Sequence, residues 1–252
     1  MRNKNSLTIL IPARNEESTI IKTLESLRKK VRLRCKYIII NDQSSDNTAE
    51  EVKRYIQKYK NFSLLHTTKR KNGFSYALLK GFSQADSEYV LPVMADYCDD
   101  PKTIAKMYKK IQEGYDVVAG SRYITGGGKS GGPVIQGFMP KFVCLSLQFL
   151  TDIPIHDISN SFKIYRKSFV TNLIVPQDFG VEISMYLTLQ AYFKGGKVTE
   201  VPTYWYGRTT GKSKFNIFKR LPRYVSIYVW ALQERFLQLV RQRTHGVTFL
   251  NK

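Results

Sequence analysis

The chain has 252 residues, 42% of them hydrophobic, with 40 Lys and Arg against 20 Asp and Glu, a formal net charge of +20. That length buries one sizeable core, and that charge implies an anionic partner: phosphate-rich ligands, nucleic acid or an anionic membrane surface. Cys35, Cys98 and Cys144 are odd in number and widely spread, which excludes a disulfide framework and the spacing of a structural zinc site.

The first residues lack the apolar stretch of a signal peptide. No 18-residue window is both apolar and uncharged, so no membrane span is expected. An apolar run over residues 7–11, closed by Pro12, predicts the first strand. Ile20, Ile21, Leu24 and Leu27 recur at helical spacing within residues 16–29. Residues 37–40 predict the second strand, and 47–59 a helix with Asp46 at its N-cap. Strands over 62–65, 88–93 and 116–119 follow, separated by helices over 73–85 and 102–112. This alternation predicts an α/β fold with a mainly parallel sheet. Such sheets bind ligands beyond the carboxyl ends of their strands, here at the polar loops 13–17, 41–47 and 95–100.

The second half reads differently. Gly126, Gly127, Gly128, Gly131 and Gly132 predict a mobile loop rather than a strand. Helices are expected over 136–150 and 182–193, and strands over 162–165 and 197–204. Residues 215 to about 242 form a basic, aromatic helix with Pro222 breaking its pattern. We divide the chain into an α/β domain over 1–214 and a basic, aromatic helical extension over 215–252.

Four segments carry chemistry. NDQSSDNT, residues 41–48, puts Asp42 at a strand end, where a carboxylate can accept from a base or ribose. MADYCDDP, residues 94–101, puts Asp96, Asp99 and Asp100 after another strand, a place for Mg²⁺ or Mn²⁺ against a diphosphate. Asp100 also suits capping of the helix opened by Pro101, whereas Asp96 stands too far from it for that role. Arg122 in GSRY, with Arg208, Lys212 and Lys214 in RTTGKSK, can build a phosphate site. Neither GxGxxG nor a P-loop is present, which argues against a dinucleotide enzyme or a P-loop ATPase. No helix-turn-helix, zinc finger or RNP-like motif accompanies the charge, so nucleic acid is not expected as the partner.

In this order the motifs resemble family 2 glycosyltransferases of the GT-A, Rossmann-like fold, and within them the dolichyl-phosphate mannosyltransferase branch. IPARNEE resembles the family's Pro-x-x-Asn-Glu-Glu, and NDQSSDNT its Asp-Asp-Gly-Ser-x-Asp-x-Thr, with Asn41 for the first Asp. GFSYALLKGF, GSRY, DISNSFKIYRK, the Glu182 helix and YGRTTGKSK extend the likeness over roughly residues 7–215. The resemblance implies an inverting transfer of a sugar from a GDP- or UDP-linked donor to a polyprenyl or dolichyl phosphate. Pro12, Glu16, Asp42, Gly73 and Asp96 would bind the donor, and Asp96 and Asp99 a metal. Arg122, Lys141, Arg208, Ser213 and Lys214 would hold the acceptor phosphate, with Asp96, Arg122 and Arg208 as the catalytic set. In the helix after the glycines Cys144 or Ser146 takes the place of the family's Ser. Met94 replaces the first Asp of the family's Asp-x-Asp, so a weakened Mg²⁺ or Mn²⁺ site is expected.

A phosphate monoester acceptor needs no general base, since its second pKa is about 6. A glycan or glycolipid hydroxyl would need one, and Asp157 or Glu182 is then the first candidate. A non-catalytic nucleotide-binding relative is a further alternative. A lipid acceptor places the protein peripherally on the cytoplasmic face of a membrane, docked by residues 215–236 or by a membrane subunit. Phe215, Phe218, Tyr224, Tyr228 and Trp230 are the expected anchors.

Overall fold

The computed structural model describes residues 7–131, 135–176, 178–208 and 217–248. Its strands are β1 (Leu7–Ala13), β2 (Cys35–Asn41), β3 (Phe62–His66), β4 (Tyr89–Pro92), β5 (Val117–Ser121), β6 (Gly128–Ser130), β7 (Lys163–Arg166), β8 (Val198–Pro202) and β9 (Tyr204–Tyr206). Its helices are α1 (Ile20–Lys30), α2 (Thr48–Ile56), α3 (Phe74–Gln84), α4 (Thr103–Ile111), α5 (Ile135–Thr151), α6 (Lys167–Val170), α7 (Ile183–Phe193) and α8 (Ile217–Thr248). Seven strands form one sheet in the order β3-β2-β1-β4-β7-β5-β8, parallel except for β7, which runs against both its neighbours.

Alternation along the strands divides the core between the two faces. Leu7, Ile9 and Ile11 of β1 pack with Ile20 and Leu24 of α1 and Ile104 and Met107 of α4. Leu10 points the other way, into a cluster with Ala77 of α3, Leu147 of α5, Leu187 of α7 and Ile227 of α8. Both faces are covered, so β1 is buried along its whole length. Gly81 brings α3 close to the sheet: a Cβ there would stand 3.0 Å from Leu10 Cδ1 and 3.3 Å from Ile40 Cδ1. The start of α3, at Gly73, is tied to the loop after β2 by its amide, which donates to Asp42.

Three sequence expectations are corrected. The glycine-rich loop forms a strand: β6 pairs in parallel with β9, Gly128 opposite Tyr204. The glycines serve close approach there, for a Cβ on Gly127 would meet the Ser121 carbonyl at 2.3 Å and one on Gly128 the Tyr204 ring at 2.8 Å. The strand expected over 197–204 divides at Thr203 into β8 and β9. Pro222 lies within α8, which continues through it.

The helix α8 packs on α5 and α7. Ile227 and Ala231 are buried in the main core, and Tyr224, Tyr228 and Trp230 pack against it. Among its described side chains the exposed apolar ones are instead Leu221, Val225, Val229, Phe236, Leu237, Leu239 and Val240. Phe215 and the side chain of Phe218 lie outside the described part. Among the described residues no helix is long and apolar enough to cross a membrane.

Candidate active site

The loops after β1, β2 and β4 meet at one end of the sheet. Pro12 is buried in β1 opposite Ile40, and Ala13 pairs with Asn41. The first two loops are laced together. The Glu16 amide donates to Thr48 Oγ1 at 2.8 Å, the Asn15 amide to Ser44 Oγ at 2.9 Å, and the Ser45 amide to Asn15 Oδ1 at 2.7 Å. Asn15 and Gln43 hold φ of +53°, and Tyr97 in the third loop holds +63°. Such left-handed conformations in non-glycine residues persist only where surrounding contacts hold them.

Asp42 is 4% exposed. Its Oδ1 accepts the Thr67 hydroxyl at 2.8 Å and the Gly73 amide at 2.9 Å, and Arg14 stands 3.8 Å from Oδ2. Gly73 holds φ of +101°, so it alone can turn its N–H to Asp42 without a Cβ penalty. Asn41, where the family has an Asp, presents a buried Oδ1 with no partner among the described residues.

The acidic loop is a tight structure. Asp96 Oδ1 accepts the Cys98 amide at 3.3 Å, and Asp99 Oδ2 the Met94 amide at 3.2 Å. Asp100 Oδ1 accepts the Lys102 amide at 3.1 Å in the turn before α4; the N-cap of that helix is Lys102, so Asp100 braces the preceding turn and not the helix end itself. The Cys98 thiol is buried and aimed at the Asp96 carbonyl. Burial lifts the Asp96 carboxyl above its ordinary range, and the Arg208 guanidinium opposes that. Burial and the neighbouring Asp96 push Asp99 up to about 7. Arg208 Nη2 lies 2.9 Å from Glu16 Oε1 and 3.7 Å from Asp96 Oδ2.

Arg122, after β5, is held by a different carboxylate. Its Nε and Nη2 donate to the two oxygens of Asp157 at 2.6 and 2.9 Å, and Asp157 is fully buried. The Tyr123 ring lies under both Arg122, at 5.2 Å, and exposed Lys141, at 5.8 Å. Glu182 is also fully buried and clamped, with Arg220 Nη1 at 2.8 Å and Arg223 Nη1 at 3.5 Å. Lys163 lies fully buried near Asp157, where desolvation pushes its ammonium down to about 7.

The structure thus gathers Glu16, Asp96 and Arg208 in one group, Asp42 and Gly73 in a second, and Arg122, Lys141 and Tyr123 in a third. Arg208 contacts the carboxylates of the first group; Arg122 contacts Asp157 and Ser159. Ser213 and Lys214 lie outside the described residues. Sequence reasoning missed Arg220 and Arg223 as partners of Glu182. The signal was there in a lone Glu opening an apolar helix, which demands a cation from elsewhere in the fold.

The sequence model of the family described as Glycosyl transferase family 2 matches residues 8–173. A dolichol-phosphate mannosyltransferase of Pyrococcus furiosus is 27% identical over 232 residues, 89% of this chain and 64% of that protein. An undecaprenyl-phosphate 4-deoxy-4-formamido-L-arabinose transferase of Proteus mirabilis is 32% identical over 47% of this chain and 37% of its own. The chain therefore spans less than two thirds of the length of these curated relatives. Among solved structures, glucosyl-3-phosphoglycerate synthase of Mycobacterium tuberculosis bound to UDP matches with a TM-score of 0.68 at 14% identity, over 91% of this chain and 80% of that one. A mannosyltransferase of Pyrobaculum calidifontis, bound to GDP-Man and Mn²⁺, matches with a TM-score of 0.63 at 16% identity, over 96% and 76%. These likenesses establish the GT-A fold.

The neighbour's Mn²⁺ poses a test of this chain's own donors. Met94 offers a thioether, which suits a hard cation poorly. Asp99 spends an oxygen on the Met94 amide, and Asp96 faces Arg208. Among the described residues no group of three or more His, Cys, Asp or Glu is arranged to hold a metal ion. The residues present do not make a site for Mg²⁺ or Mn²⁺ by themselves.

Proposed function

The chain belongs to glycosyl transferase family 2, and on that premise we propose that it is an inverting glycosyltransferase moving a sugar from a nucleotide sugar to a polyprenyl phosphate at a membrane surface. The observation that carries this reading is the state of the two candidate bases. Asp157 and Glu182 are both fully buried and both engaged by arginines. Neither is placed to take a proton from a hydroxyl acceptor. An acceptor that is already an oxyanion needs no such base.

The proposed step is a single displacement. An acceptor phosphate oxygen forms a bond to the anomeric carbon as the bond to the leaving nucleoside diphosphate breaks, so configuration inverts. Asp42, with Thr67 and Gly73 fixing its oxygens, orients the nucleoside of the donor. Arg122 and Lys141, both over the Tyr123 ring, draw in the acceptor phosphate, and Asp157 holds Arg122 in register by its bidentate grip. Arg208 stands by the donor diphosphate and meets its charge as it leaves. Bringing two anions together is the main barrier, and fixed cations in a crevice lower it without proton transfer.

The names of the relatives support a polyprenyl phosphate as acceptor. Docking is proposed through the outer face of α8, where Val225, Val229 and Phe236 are 52%, 47% and 66% exposed, and through Phe142 and Phe149 of α5. The protein then sits peripherally on the cytoplasmic face, alone or with a membrane subunit. The test is a screen of radiolabelled GDP- and UDP-sugars against a short polyprenyl phosphate and, in parallel, a glycolipid hydroxyl acceptor. Label transferred to the phosphate alone is expected. Transfer to the hydroxyl acceptor, or to neither, defeats the proposal.

A further inference from the structure

We propose that the Arg208 guanidinium takes the place of the divalent cation, so that the donor diphosphate meets a fixed protein charge instead of a metal. The inference rests on the functional reading above, and its test separates the two.

Position is the first support. A cation serving Asp96 has to stand against its outer oxygen, and Arg208 Nη2 is 3.7 Å from Asp96 Oδ2. The same nitrogen is 2.9 Å from Glu16 Oε1, on the loop after β1. One positive charge therefore bridges two of the loops that converge at the sheet's carboxyl end. The side chains are well shielded, 17% exposed for Arg208 and 11% for Glu16, so this pair is weakly screened by salt.

The backbone delivers Arg208 to that place. The Tyr206 amide donates to the Cys98 carbonyl at 2.9 Å, and the Gly207 amide to the Ser130 carbonyl at 2.6 Å. Trp205 and Asp99 form a β-bridge. The three residues before Arg208 are thus fastened to the acidic loop on one side and to β6 on the other. The guanidinium reaches Asp96 from an anchored backbone, not as a mobile surface side chain.

The remaining ligands have changed in the matching direction. Met94 supplies no hard oxygen, and Asp99 is tied to the Met94 amide. A dication entering beside Arg208 would also meet a like charge, which opposes it. A guanidinium, by contrast, matches a phosphate oxygen pair in geometry and keeps its charge at every working pH. The loss of a ligand and the presence of the cation are then two sides of one exchange.

The experiment is calorimetric titration of GDP and of UDP into the full chain, in excess EDTA and in excess MnCl₂. One nucleotide is expected to bind with affinities equal within about twofold in the two conditions. Arg208→Gln is expected to weaken binding in EDTA by at least about tenfold, with its circular dichroism unchanged. Met94→Asp alone is expected to leave binding resistant to EDTA. The double variant M94D/R208Q should recover affinity with MnCl₂ only, and should immobilise Mn²⁺ in its electron paramagnetic resonance spectrum where the parent does not. Parent binding that requires MnCl₂, or a parent that immobilises Mn²⁺, overturns the inference and leaves the donor reading intact. A parent that binds neither nucleotide in either condition overturns the donor reading and the inference together.

Discussion

The parent's stability should rise between pH 7 and pH 9, and replacing Lys163 with Met should flatten that rise. Lys163 is fully buried, and its Nζ donates to the Ile158 carbonyl at 2.7 Å and to Ser184 Oγ at 3.2 Å. Desolvation pushes its pKa from 10.5 down to about 7, against the pull of Asp157. Below about 7 both the folded and the unfolded chain carry the proton, and there is no slope. Between about 7 and 10.5 the unfolded chain binds a proton that the folded chain does not, so stability rises with pH. The slope approaches about 1.4 kcal/mol per pH unit, or about 2–3 kcal/mol by pH 9. For a chain of this size that is about 5–10 °C in Tm. The window ends at pH 9, where thiol ionisation in the unfolded chain begins to act the other way: burial raises the pKa of Cys98 and Cys144 in the fold. The assay is thermal unfolding of parent and Lys163→Met from pH 7 to pH 9 at fixed ionic strength. Parallel Tm curves would mean that Lys163 is charged in the fold and that the argument from its burial is wrong.

Asp96→Ala should abolish sugar transfer, while Asp100→Ala should cost about 1 kcal/mol of stability through the lost contact to the Lys102 amide and leave transfer intact; equal transfer by Asp96→Ala and parent would remove Asp96 from the site. Glu182→Ala removes the buried carboxylate that holds Arg220 and leaves Arg223 to Asp178 alone, and should destabilise the fold by about 1–3 kcal/mol, read as a lowered midpoint in urea; an unchanged midpoint would mean the clamp is not formed in solution. Val229→Glu with Phe236→Glu should release the protein from anionic liposomes at low salt without changing nucleotide affinity; undiminished co-sedimentation would move docking away from α8.

The fold was legible where period and punctuation agreed. Ile9, Leu10 and Ile11 all read as apolar, and both faces of β1 are indeed covered. The glycine segment was misread because composition reports freedom and not crowding. Gly127 and Gly128 have backbone and ring atoms where their side chains would be. The helix α8 was misread in a related way, since Tyr224, Tyr228 and Trp230 suit a membrane interface and a core equally well. Only the packing of α7 and α5 decides that these three turn inward. In the site, loop membership was legible from strand ends, but partner choice was not. Nothing in RTTGKSK says that Arg208 meets Glu16, 192 positions earlier. Such pairs depend on how β9 is pinned, which is a property of the assembled sheet.

The charge can now be divided by task. In and around the site, arginines meet carboxylates sheltered from water: Arg122 at Asp157, Arg220 and Arg223 at Glu182, and Arg208 at Glu16 and Asp96. Breaking such a buried pair is costly, about 3–5 kcal/mol, so these arginines shape the crevice as well as charge it. They are four of the chain's 40 basic residues. The net +20 therefore belongs mainly to the surface, where its reach is limited to about 8 Å at physiological salt. A diffuse surface charge of this kind raises the encounter rate with anions, whereas the held arginines set geometry. Rising salt should then slow the capture of donor, acceptor and anionic membrane together. It should leave the turnover of bound substrates nearly unchanged, because Arg122 and Arg208 act at contact distance in a crevice that salt screens weakly. A turnover number that falls as steeply with salt as the capture rate would show that the catalytic charges are the exposed ones.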